Sequence, residues 1–237
     1  MNPQDQPPTR VAAVTGASRG LGAALARVLA QEGYAVVLGA RDVGAVERLA
    51  AELPQGFAHR LDVGDPESVE AFRRATIERF GRLDVLANNA GIGVFRRLEE
   101  TSREDFEATF RVNVLGVWAT TVGFLPWLKE SRGLVVMVFS DVSTRTFPTG
   151  GSYTASKFAV RALTRTLQQE NPELRVLELR PGAVDTSFAG STPGAAGKEW
   201  FLQPDVVGEA LRFAVRLPAG ARVEEIVLRS SQQTPEF

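Results

Sequence analysis

The chain has 237 residues, 44% of them hydrophobic and 23% charged, which suits one large soluble domain or two small ones with a sizeable core. Its formal net charge of −1 gives no reason to expect nucleic acid or an anionic membrane as a partner. There is no cysteine and His59 is the lone histidine, so disulfides, thiolate chemistry and Cys-based metal sites are excluded and a multi-His metal site is not expected. Acid–base work falls to Asp, Glu, Tyr, Lys or Ser.

In chain order, the opening "MNPQDQPPTR" is polar and proline-rich, with no apolar stretch to serve as a signal peptide. Residues 1–9 read as a disordered lead, and a cytoplasmic location is expected. Strand runs then alternate with helical patterns: "RVAAVTG" (10–16), helix 21–32, "YAVVLGA" (34–40), helix 43–53, "GFAHRLDV" (56–63), helix 66–80 and "LDVLANNAG" (83–91). A long helix over 103–130 precedes "GLVVMVFS" (133–140), followed by helix 154–170, "LRVLELRPG" (174–182), helix 204–216 and "VEEIVLR" (223–229). Strands separated by helix-length segments imply crossover connections and a parallel sheet covered on both faces. The expectation is a single α/β domain over 10–237, a doubly wound Rossmann fold of about seven strands. The longest apolar run, "LVVMVF" at 134–139, is too short to cross a bilayer. The segment 181–204, rich in Gly, Ser, Thr and Pro, reads as a lid or binding loop, or as partly disordered.

Three motifs bear on chemistry. The first strand runs into "TGASRGLG" (15–22), where Gly16, Gly20 and Gly22 permit a tight turn and let a pyrophosphate approach a helix N-terminus. Tyr153 and Lys157, four apart on a helix, share one face at about 5–6 Å between Cβ atoms, close enough to shift each other's ionisation. Arg41 follows the second strand, where a dinucleotide-binding fold that prefers NAD carries an acid; the first acid here is Asp42. Each also has a plainer reading: a glycine-rich turn without a ligand, an amphipathic helix with a polar edge, a solvated arginine.

Taken together, "TGASRGLG", "NNAG" (88–91), Asn113, Ser140, "YTASK" (153–157) and "PGAVDT" (181–186) resemble the short-chain dehydrogenase/reductase pattern in order and over nearly the whole chain. The resemblance implies a Rossmann-fold oxidoreductase with a catalytic set of Asn113, Ser140, Tyr153 and Lys157. Tyr153 would be the general acid/base, and Lys157 would lower its pKa and hold the nicotinamide ribose. Ser140 would bind the substrate oxygen, with Ser143 as its fallback, and Asn113 would hold a relay water unless it is simply a satisfied core amide. The spacing of three residues between Tyr153 and Lys157 is that of ketone and alcohol oxidoreductases rather than enoyl reductases.

The same resemblance assigns the cofactor to Gly16, Ser18, Arg19, Gly20, Leu21 and Gly22 at the turn, Arg41 after the second strand, and Asp62 and Val63 at the adenine. Asn88, Ala90 and Gly91 would line it at the fourth strand, and Pro181, Gly182, Val184 and Thr186 at the nicotinamide. A 2′-phosphate suits Arg19 and Arg41, so NADP(H) is expected. Asp141, where relatives carry a small or apolar residue, reads either as a selector for polar substrates or as a solvated loop carboxylate. Ile92, Val94, Phe95, Phe147, Phe188, Trp200 and Phe201 either form an apolar pocket for a ketone or alcohol or pack the loop onto the core. A homodimer or homotetramer built on helices 103–130 and 154–170 is expected. The alternative function is a non-catalytic NADP(H)-binding regulator or scaffold; a sugar-nucleotide epimerase would need a larger C-terminal domain.

Overall fold

Continuous aliphatic strands joined by crossover helices pair in parallel, because only a sheet covered on both faces can bury both of their sides. The computed structural model describes residues 10–218 and 220–233; the expected lead at 1–9 lies outside them. Its seven strands are β1 (Val11–Thr15), β2 (Ala35–Ala40), β3 (Gly56–Arg60), β4 (Val85–Asn88), β5 (Leu134–Val138), β6 (Arg175–Pro181) and β7 (Glu225–Leu228). They form one sheet in the order β3-β2-β1-β4-β5-β6-β7, every neighbouring pair parallel. Val14 lies between Leu38 and Ala87, which brings the ends of β1, β2 and β4 to one edge. The strand order reverses between β1 and β4, the point at which open α/β sheets bind ligands.

Helices α1 (Gly20–Gln31), α2 (Val43–Glu52) and α7 (Pro204–Arg216) cover one face. There Leu25, Leu29, Leu38, Leu177 and Leu211 are buried together. On the other face α3 (Pro66–Phe80), α5 (Val117–Ser131) and α6 (Gly151–Glu170) enclose Phe72, Leu86, Phe124, Leu128 and Val135. Each such side chain contributes roughly 1.5–3 kcal/mol through burial. Local signals set the helix ends. Asp65 accepts a hydrogen bond from the Glu67 N–H at 3.0 Å, Pro66 occupies the first turn of α3, and Gly81 at φ 68° closes it.

The long helix expected over 103–130 is the main departure. It is α4 (Arg103–Phe110), a π-helical turn over Arg111–Gly116, then α5. Two features hold the extra residue in that turn. The Asn113 side chain is tied to Ile92 and Ser156, and Gly116 abuts Val63, whose carbonyl oxygen would lie 2.7 Å from a Cβ there. Such a widened turn is common where a helix serves a site. Residues 103–131 together are long and apolar enough to cross a membrane by length and composition, which the short apolar runs did not suggest. In the fold one side of that helix packs on the sheet and on α3, and the other exposes Leu115, Trp118 and Val122.

The expected loop over 181–204 is closed and organised rather than structureless. Asp185 accepts from the Gly194 N–H at 2.9 Å and lies 3.6 Å from the Lys198 ammonium. Val184 bridges to Leu202, with the Asp185 N–H donating to the Leu202 carbonyl at 2.8 Å.

Candidate active site

At the reversal point the glycine turn is shaped by contacts that exclude side chains. Gly16 takes φ 66°, a left-handed conformation that favours glycine. A Cβ on Gly22 would lie 2.2 Å from the Gly16 carbonyl oxygen and 2.6 Å from the Asn89 amide nitrogen. Asn89 itself holds the turn, donating to the Thr15 and Gly16 carbonyls at 2.9 and 3.1 Å. The Thr15 hydroxyl accepts from the Asn89 and Ala90 N–H groups at 3.0 and 2.9 Å. Neither Thr15 nor Asn89 was assigned a role from the sequence, although both lie inside the quoted motifs.

The turn opens α1 with no side-chain cap and no acid in its first turn. Its N-terminal N–H groups and the positive end of its dipole therefore suit a phosphate. Thr186 is brought to Gly20, with its Cβ 3.2 Å from the place a Gly20 Cβ would occupy. Ser18 is half-buried, Leu21 packs on the core, and Arg19 and Arg41 are exposed. Among the described residues neither arginine forms an ion pair. Asp42, the acid nearest the end of β2, accepts the Ala45 N–H at 3.0 Å as the N-cap of α2.

Three of the residues expected at the cofactor also have side chains that hold the fold. The Asn88 amide turns inward, donating to the Thr121 hydroxyl at 2.9 Å and approaching the Met137 sulfur at 3.4 Å. Val63 is buried against Gly116. Asp62 spends Oδ1 on the Gly64 N–H at 3.0 Å, closing its own turn. Ala90 and Gly91 do flank the site: the Ala90 Cα meets Gly16, and Gly91 lies over the Asn113 Oδ1. Pro181 ends β6, followed by Gly182 and Val184 on the same edge.

The residues expected to be catalytic come together near the ends of β4 and β5 and the start of α6. Tyr153 lies in the first turn of α6, buried, with Lys157 one turn on and its ammonium 5.6 Å from the phenol ring centroid. The Lys157 ammonium donates to the Val138 carbonyl at 3.0 Å. Ser140 caps the short turn Asp141–Ser143 after β5 and interacts with the Tyr153 phenol. Burial pushes the phenol up to about 12; the Ser140 hydroxyl opposes the shift and the Asp141 carboxylate adds to it. Burial pushes Lys157 down to about 8. The depression of the phenol expected from Lys157 is therefore absent in this arrangement, because the desolvation that penalises the phenolate dominates.

Asn113 is fully engaged as a donor. Its amide gives to the Ile92 carbonyl at 2.9 Å and the Ser156 hydroxyl at 3.0 Å, while Oδ1 accepts the Ile92 N–H at 2.9 Å. The side chain thus straps the π turn to the loop after β4 and to α6. Ser143 is fully buried and donates to the Ser140 carbonyl at 2.8 Å, so Ser140 alone faces the phenol. Asp141 is neither a solvated carboxylate nor open to a substrate. It is 4% exposed and paired with Arg145 at 2.5 Å, because the strand ends bring basic groups around it.

Aromatic rings wall the phenol. Phe95 and Phe188 lie 5.5 and 5.6 Å from the Tyr153 ring, and Phe147 lies 5.8 Å from Phe95. Trp200 and Phe201 pack on each other at 4.5 Å, and no ring contact joins them to this cluster among the described residues. The arrangement supplies a buried phenol, a hydroxyl partner, an ammonium and an apolar wall, in a fold whose glycine turn suits a phosphate.

Known proteins share this fold. Residues 10–195 match the short chain dehydrogenase family. An alcohol dehydrogenase from the archaeon Thermococcus sibiricus, solved with 5-hydroxy-NADP, is 52% identical with a TM-score of 0.93, covering 97% of this chain and 100% of that one. A serine dehydrogenase solved with NADP+ is 25% identical with a TM-score of 0.88, covering 96% and 97%. Human dehydrogenase/reductase SDR family member 11 is 33% identical over 94% of this chain and 95% of its own length. Glycine betaine reductase of Emericella nidulans is 35% identical, but the chain spans only 18% of it. The chain belongs to the short chain dehydrogenase family of oxidoreductases.

Proposed function

We propose that the protein interconverts a ketone or aldehyde and the corresponding alcohol with NADP(H), using Tyr153 as general acid/base. The observation that carries this reading is the buried Tyr153 phenol held with Ser140 and Lys157 beside the uncapped, glycine-lined end of α1. The residues present fit a dinucleotide: a side chain at Gly22 would fill the cradle that Asn89 and the Gly16 carbonyl border. When bound, the nicotinamide supplies hydride to a carbonyl or receives it from an alcohol.

The residues divide the remaining work. Arg19 and Arg41 hold the 2′-phosphate, the α1 N-terminus takes the pyrophosphate, and Thr186 lies against the turn. Lys157 holds the ribose. Tyr153 donates its phenolic proton to the carbonyl oxygen during reduction, and the Ser140 hydroxyl steadies that oxygen as negative charge grows on it. In the free protein the phenol is held protonated, as reduction requires. In alcohol oxidation the phenolate must form, and bringing Lys157 towards the phenol would favour it. Phe95, Phe147 and Phe188 favour an apolar or aromatic group on the substrate.

NADP(H) preference rests on the two exposed arginines and on Asp42 being engaged as a cap. The alcohol dehydrogenase and serine dehydrogenase relatives, solved with NADP-type cofactors, support it. Arg19→Ala and Arg41→Ala are each expected to weaken NADPH binding about 10- to 100-fold while changing NADH binding less than about twofold, since a buried-free charge-assisted pair contributes roughly 1.5–3 kcal/mol. Fluorescence titration of the two cofactors measures this. Equal losses for both would remove the 2′-phosphate argument.

The exposed apolar side chains Leu115, Trp118 and Val122, with Phe158 and Leu163 on α6, suit pairing with a second copy. Light scattering is expected to give at least a dimer, and Trp118→Glu to shift it towards monomer. A monomeric wild-type protein would contradict this.

A further inference from the structure

After β7 the chain turns back to the ends of β5 and β6, and Gln233 there touches both strand-end loops. Its amide nitrogen donates to the Asp141 Oδ2 at 2.8 Å, and its Oε1 accepts the Ala183 N–H at 3.4 Å. Oε1 occupies the space a side chain at Gly182 would need, 2.1 Å from that Cβ position. The Gly182 N–H donates to the Leu228 carbonyl at 2.7 Å, so the segment is fixed from both ends. One side-chain amide therefore joins the Ser140–Asp141 turn, the loop after β6 and the C-terminal segment.

Asp141 passes this connection on to the reacting groups. Its Oδ1 accepts the Ser140 hydroxyl at 3.2 Å, while Oδ2 meets Arg145 at 2.5 Å and Arg229 at 3.8 Å. A serine hydroxyl has one proton. In the free protein that proton lies towards Asp141 across a long 3.2 Å contact, and it must turn to the reacting oxygen during reduction, so the direction of the hydroxyl depends on where the carboxylate is held. We propose that Gln233 and Asp141 are positioning residues: together they fix the orientation of the Ser140 hydroxyl relative to Tyr153 and keep that turn in register with the cofactor loop. This rests on the reading of Tyr153 and Ser140 as the reacting pair.

The charged groups around the phenol come from every neighbouring element. Lys157 lies on the same helix, and Asp141 and Arg145 follow β5. Arg180 on β6 reaches the Asp141 carbonyl at 3.5 Å and pairs with Glu225 on β7, and Arg229 follows β7. Burial holds the phenol in its protonated form, and the Asp141 carboxylate adds to that. A second negative charge at Gln233 would act in the same direction and would also repel Asp141.

Gln233→Met keeps the side-chain length and removes both hydrogen bonds; Gln233→Glu puts a carboxylate against Asp141. Both variants and the wild type would be compared with Tyr153→Phe, measuring kcat, KM, the pH profile of alcohol oxidation, NADPH binding by fluorescence and thermal unfolding. Gln233→Met is expected to lower kcat about tenfold with little change in NADPH affinity, as misplacement of a reacting group does. Gln233→Glu is expected to lower kcat further and to move the acidic limb of the oxidation profile to higher pH. Unchanged kcat and pH profile in both variants, with Tyr153→Phe inactive, would overturn the positioning role alone. A loss confined to thermal stability would overturn it too, and activity surviving in Tyr153→Phe would remove the reading on which it rests.

Discussion

Tyr153→Phe is expected to lower turnover by about 10²–10⁴ while leaving NADPH affinity within about twofold, the range a positioned general acid contributes. The substitution removes one oxygen and little else. The ring keeps its edge contact with Phe95 at 5.5 Å and its contact with Phe188 at 5.6 Å, so the wall of the site is preserved. Giving up the hydroxyl loses only its interaction with Ser140, a cost of about 1 kcal/mol. The sign of the pH dependence follows. With its pKa raised from 10.0 to about 12, the folded phenol keeps its proton where the unfolded chain gives it up. Stability tied to Tyr153 is complete below pH 10 and is lost as pH rises towards 12. Tyr153→Phe should remove that loss. Unfolding midpoints measured between pH 8 and 11, alongside turnover, check both statements.

Lys157→Met is expected to do two opposite things: to cut turnover by at least about 10², and to stabilise the fold. Burial lowers the Lys157 pKa from 10.5 to about 8, so at neutral pH the protein carries this ammonium at a cost. At about 1.4 kcal/mol per unit, and discounted because Lys157 keeps partial solvent access, that cost is on the order of 1–3 kcal/mol. Losing the hydrogen bond to the Val138 carbonyl offsets about 1 kcal/mol of the gain. A rise in Tm of up to about 8 °C is expected for a chain of this size. The stabilisation is largest below pH 8, where the folded group is charged, and disappears as pH rises to 10.5 and the unfolded group also loses its proton. Thermal melts at pH 7 and pH 10.5 measure the difference. A fall in Tm at pH 7 would mean that the ammonium holds the site together rather than straining it. Function at the expense of stability is the ordinary state of an active site.

Much of the fold was legible because its strongest signals are local. The seven strands, their parallel pairing and the helices between them followed from aliphatic runs spaced by helical patterns. The helix expected over 66–80 is kept with the same bounds as α3. The π turn was not legible, since it depends on Asn113 reaching Ile92 and Ser156, residues 21 and 43 positions away. The glycine turn and the Tyr153–Lys157 pair could be seen in the sequence because each is a short motif. Asn88 and Asn89 show the limit: both sit in "NNAG", and only the pleat decides which side chain faces Thr121 and which holds the glycine turn. Asp141 was misjudged for a related reason. Its partners Arg145, Arg229 and Gln233 come from two separate segments, and a loop acid looks solvated until the sheet gathers them.

The most direct test of the account is steady-state oxidation of NADPH and of NADH against a panel of ketones and aldehydes, with wild type and Tyr153→Phe measured side by side. The account predicts turnover by the wild type on apolar carbonyls, at least about tenfold faster in kcat/KM with NADPH, and near-complete loss in Tyr153→Phe with NADPH binding retained. Turnover surviving in Tyr153→Phe would contradict the central role given to that phenol.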